Sequence, residues 1–121
     1  MKIVTILLFL FLFILTPALA TAPSNKIPLS NFKIVSFHTE WRHDTFYAIG
    51  EIKNIGKIAA GVQVQVIARD SQGTLVDCQQ FWPNSINNIY PSMSCGIIYP
   101  ITSNTRAKAF EIQIIRVKVW D

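Results

Sequence analysis

The strictest constraint on what this chain can fold into is the alternation over residues 62–69. Val62, Val64, Val66 and Ala68 are separated by Gln63, Gln65, Ile67 and Arg69. Side chains of a strand point to opposite faces in turn, so this order gives one apolar row and one mostly polar row. On a helix the same residues would be scattered around the circumference. Such a strand needs a second layer over its apolar row and water over the other. The period of two continues from Asn31 almost to the end of the chain, with β-branched and aromatic residues dense throughout.

Turn residues divide this stretch into six strands. The first is expected over Phe32–Trp41, ending in the polar turn Arg42-His43-Asp44. The second runs from Phe46 to Asn54, with Phe46, Ala48, Gly50 and Ile52 on one face; those small residues would let an opposing sheet approach closely. Gly56 turns the chain into the third strand, which stops at Asp70-Ser71-Gln72-Gly73. A hairpin partner covers Thr74–Phe81, and Pro83–Pro91 reads as a loop. The fifth strand spans Met93–Ile101 and the last Phe110–Trp120. That last strand changes phase: Phe110, Ile112 and Ile114 have one parity, Ile115, Val117 and Val119 the other. Either a bulge near Ile114-Ile115 restores both sets to the core, or the middle of the strand is covered on both faces. The expected fold is an all-β antiparallel β-sandwich of six to seven strands over residues 31–121.

Residues 1–20 concern location. Lys2 precedes a run from Ile3 to Leu15 that is apolar apart from Thr5, Pro17 breaks it, and Ala18-Leu19-Ala20 has the small-x-small form that signal peptidase accepts. The expectation is a signal peptide cleaved after Ala20 and a periplasmic or secreted protein. An uncleaved anchor is the alternative, since Ile3–Ala20 is just long enough to cross a bilayer. Residues 21–30, with two prolines and small polar residues, read as a flexible lead-in. Lys2 leaves with the leader, so ten Lys and Arg face seven Asp and Glu, a net +3. No stretch gathers four basic residues, which argues against a nucleic-acid partner.

Cys78 and Cys95 remain after cleavage, and two cysteines in an exported chain are expected to form one disulfide. Closing that loop would contribute roughly 3 kcal/mol in the chain-entropy account. Neither follows the C-x-x-C spacing of redox or metal pairs.

Residues 48–99 resemble the FxLYD-type immunoglobulin-like domains of bacterial exported proteins. Gly50-Glu51-Ile52-Lys53-Asn54 is similar to that family's G-x-V-x-N strand. Val62–Asp70 followed by Gly73 resembles its apolar strand with an aspartate and a glycine turn. Pro91, with Ile97 six residues on, is similar to its Pro-Gly step into the next strand. The chain departs from the pattern at Ser92, where the family usually has Gly, and at Ala68-Arg69-Asp70, which lacks the aromatic before the aspartate. The resemblance implies that the sandwich is immunoglobulin-like, an interaction or structural module with no catalytic residue or cofactor to carry over.

Chemistry-bearing clusters are few. His38, Glu40, His43 and Asp44 are metal-capable and close in sequence, but their spacing matches no zinc or copper pattern. There is no G-x-S-x-G, no H-E-x-x-H and no Gly-rich phosphate loop. Aromatic residues offer a better handle: Trp82 and Tyr90 bracket the Asn-rich loop and Trp41 borders the His turn. Exposed together at one end they would anchor a partner; buried, they would cap the core and leave Ser85–Ile89, with Asn87 and Asn88, as the recognition surface. The expected function is a non-enzymatic, cofactor-free exported module binding a protein or envelope component. The alternatives are an inhibitor of a secreted or host enzyme acting through residues 83–91, and a small metal-handling protein using His38 and His43.

Overall fold

Six antiparallel strands realise this alternation: β1 (Phe32–Arg42), β2 (Thr45–Asn54), β3 (Gly61–Arg69), β4 (Leu75–Phe81), β5 (Ser94–Thr102) and β6 (Ala109–Lys118). The structure, a computed structural model, describes residues 26–121. The expected leader, residues 1–20, and the first half of the lead-in lie outside the described residues. Among the described residues no helix is long and apolar enough to cross a membrane. A single 3-10 turn at Leu29–Asn31 precedes β1.

Two three-stranded sheets form, in the orders β1-β2-β5 and β4-β3-β6. These match strands A-B-E and C′-C-F of an immunoglobulin-type sandwich. The fold class expected from the sequence is therefore present, with six strands. On β3 the four apolar positions of the alternation are buried, Val64, Val66 and Ala68 to 0% exposure, while Gln63, Gln65, Ile67 and Arg69 are half-buried on the outer face. Ala48, Ile52, Ile97 and Ile101 of the facing sheet close the core over them. Fully burying a Val or Ile side chain contributes roughly 1.5–3 kcal/mol, so this interlayer row dominates what holds the sheets together.

Three strands each carry one extra residue, and on β6 it resolves the change of phase seen in the sequence. Gln63 pairs with Arg116 but Val64 pairs with Ile114, so Ile115 is the bulged residue that lets Val117 pack against the core along with Phe110, Ile112 and Ile114, while Val119, beyond the strand, stays exposed. On β5 the extra residue is Ile101, after which Ile101 and Thr102 are both buried. On β1 it is Val35, which turns out to solvent. The β1 bulge corrects the reading of Gly50. A Cβ there would fall on the Ser36 carbonyl oxygen of the neighbouring strand, so Gly50 is required by its own sheet, not by approach of the opposing one.

The lead-in also ends earlier than expected. Ile27 already packs against the core, and the Asn31 carbonyl accepts a hydrogen bond from the Ile55 N–H (2.8 Å). Residues 27–30 belong to the fold because Ile27 finds apolar surface beside β6.

Candidate functional site

The β2–β3 loop (residues 55–60), the β4–β5 loop (residues 82–93) and the C-terminal residues 119–121 meet at one end of the sandwich. Asn54 organises them. Fully buried at the end of β2, its side-chain amide donates to the carbonyls of Ile58 (2.9 Å) and Ile89 (2.8 Å), and its Oδ1 accepts the Gly56 N–H (2.9 Å). Its backbone N–H donates to Met93 (3.0 Å) and its carbonyl accepts from Ser92 (2.8 Å). A buried carboxamide with these partners is satisfied and locks two loops to one strand end.

The Asn-rich loop is correspondingly pinned. Ile89 is 3% exposed and exchanges two backbone hydrogen bonds with Ala60. Asn88 donates from Nδ2 to the Trp120 carbonyl (2.9 Å) and accepts the Trp120 N–H at Oδ1 (2.8 Å). The Trp120 indole lies against Gly61, edge-on to Trp82 (5.1 Å) and beneath the Lys118 ammonium (4.3 Å). Ser85 and Ser92 hold the bends with φ of 56° and 71°. Between these anchors Ser85, Ile86 and Asn87 are exposed, as are Tyr90 and Met93. A shallow cavity of about 340 Å³ opens beside Ile86, bounded by Trp82, Phe81 and Tyr99.

The aromatic residues expected as one anchor set are not gathered in one place. Tyr90 is 68% exposed at the loop end, and Trp82 is half-buried there. Trp41 sits at the opposite end, where it pairs with Phe46 and packs edge-on against that ring (4.6 Å). Of the Ser85–Ile89 stretch, Asn88 and Ile89 face inward, because the loop is tied to Trp120 and Ala60. Asn87 is exposed, and its N–H closes a turn onto the Asn84 carbonyl (3.1 Å).

At that opposite end, His43 and Asp44 form the β1–β2 turn with φ of 49° and 62°, the conformation of a two-residue type I′ hairpin. His38 bonds Glu40 (2.8 Å), whose carboxylate also pairs with Arg42 (2.7 Å). These two contacts, the His38 one foremost, hold the Glu40 carboxyl below its ordinary value. Among the described residues no three His, Cys, Asp or Glu converge as metal ligands would. Arg42 occupies the carboxylate that a cation beside His38 would need.

The expected disulfide is not formed, and both cysteines are free thiols. Gln79, next to Cys78, donates to the Ile101 carbonyl (3.2 Å), and Cys95 lies six residues back along β5, roughly 20 Å at strand rise. A bridge needs Cα atoms within about 7 Å. Turn spacing places the cysteines on consecutive strands, β4 and β5, but those strands lie in different sheets and their relative heights are not written locally. Cys95 instead donates to its own strand's Gly96 carbonyl (3.3 Å) and toward Asn84 Oδ1 (3.6 Å), and burial raises its thiol pKa.

Sequence reasoning missed Asn54 as a hub and Asn88 as a clamp. Asn54 was visible only as the last residue of a motif, and the Asn88 partner lies 32 residues away. No protein-family model matches the chain, and no match was found among curated proteins or among solved structures.

Proposed function

We propose that the chain is a non-enzymatic, exported binding module of the cell envelope, whose recognition surface is the loop end built around Asn54. One observation carries this. Of the eleven large apolar side chains that are exposed among the described residues, seven (Leu29, Ile55, Ile58, Ile86, Tyr90, Met93 and Val119) belong to that end. Scattered exposed apolar residues are ordinary, but their concentration in one region marks an interaction surface. The loops that carry them are cross-linked by hydrogen bonds, so the surface is preorganised and binding costs little ordering.

The leader-like residues 1–20 support export to the periplasm or beyond. The resemblance to FxLYD-type domains supports a role in interaction. A photo-crosslinking residue placed at Tyr90 in exporting cells should give adducts, while one at Leu75, at the other end, should not. Adducts from Leu75 alone would assign recognition to the wrong end, and cell fractionation with intact mass checks the location.

A further inference from the structure

We propose that the loop end rests on an anionic lipid bilayer, with its apolar side chains at the headgroup boundary and its lysines among the phosphates. This rests on reading that end as the recognition surface and names its partner.

Charge is divided along the strands. The half of the sandwich that ends in the loops carries Lys26, Lys33, Lys53, Lys57, Arg116 and Lys118 against Glu51 and Asp121, a formal +4. The other half carries four basic and five acidic residues, a formal −1. The ion pairs Arg42–Glu40 and Arg69–Glu111 lie in that other half, as does the His38–Glu40 contact. Lys33 and Lys53 stand directly opposite each other on β1 and β2. Like charges in register weaken a strand pair, and an anionic surface would relieve that repulsion.

Lysine decides between partner classes. Protein interfaces are depleted of it, whereas a membrane surface takes lysine beside Tyr, Met and Ile. Tyr90 has the amphipathic ring that settles at a headgroup boundary. Beside this same end Lys26–Leu29 and Ile115–Lys118 line one groove, with lysines at both its borders.

The test is flotation of the exported protein, its N-terminus defined by intact mass. The vesicles are phosphatidylglycerol mixed with phosphatidylethanolamine, with phosphatidylcholine vesicles for comparison. Binding is expected to the anionic vesicles only, to weaken as salt is raised, and to fall at least tenfold in I55S/Y90S/M93S and in K33E/K53E/K57E, with L75S unchanged. The salt titration needs no variant and stands if either triple variant folds poorly. Equal binding to neutral vesicles, binding that both triple variants retain, or none at all would overturn the proposal. An adduct to protein at Tyr90 without vesicle binding would also overturn it, while leaving the recognition surface in place.

Discussion

The carboxamide of Asn88 makes two hydrogen bonds to the backbone of a single residue, Trp120, donating to its carbonyl and accepting from its N–H. A strand edge would offer the same two groups, so the side chain substitutes for a ladder step and fastens the C-terminus to the β4–β5 loop. Asn88→Ala leaves both groups partly buried without these partners. The expected loss is about 1–2 kcal/mol in urea unfolding, against under about 0.5 kcal/mol for the exposed neighbour in Asn87→Ala.

Gly50 has no room for a side chain because, beside the Val35 bulge, the Ser36 carbonyl oxygen occupies the place a Cβ would take. Gly50→Ala must push β1 away from β2. A loss of about 2 kcal/mol or more is expected, while Gly96→Ala, where a Cβ meets nothing, should cost little of the kind. Thermal unfolding of the pair distinguishes backbone collision from a general loss of glycine.

Ser92 follows Pro91 with φ of 71°, and the Met93 N–H closes the turn onto the Tyr90 carbonyl (3.0 Å). This is the second central position of a type II turn, which favours glycine. Ser92→Gly should raise stability by about 0.5–1 kcal/mol, the relief of left-handed strain outweighing the added unfolded-state freedom. A denaturation midpoint that falls would mean the Ser92 side chain has a role of its own.

The two thiols should differ in reactivity. Cys78 is exposed, whereas Cys95 is half-buried and its pKa is raised by burial. Since the thiolate is the nucleophile, a thiol reagent at neutral pH should label Cys78 first and Cys95 at least several-fold more slowly. The pH dependence of the slow phase should be displaced upward. Intact mass should show both sulfurs reduced within a single chain.

Glu40 is the acid-sensitive group. Its folded pKa lies below the ordinary value, so the stability its contacts contribute is present above that value and is lost as pH falls through the folded pKa. A carbon-detected titration should place the Glu40 midpoint below that of free glutamate, and Arg42→Gln should move it back up.

The architecture was legible because burial in a two-layer fold writes itself as a period of two. The β3 alternation fixed which face is inward, and the parity break at Ile114-Ile115 fell where the bulge lies. What was not legible depends on height along the strands and on distant partners. Cys78 and Cys95 sit on strands that pass one another, yet nothing local records that the sulfurs are at different levels. Trp41 and Tyr90 look alike as aromatic residues beside turns, but strand direction sends them to opposite ends. The fastening of Asn88 to Trp120 joins residues far apart in the chain, so the Asn-rich loop reads as more open than it is. The bases and acids appear scattered along the sequence because antiparallel strands bring every second turn to the same end.

That sorting of charge gives the molecule a permanent electric axis along its strands. In any field from a negatively charged boundary it experiences a torque before it touches anything, and it arrives with Asn54 and the loops leading and the His43 turn trailing.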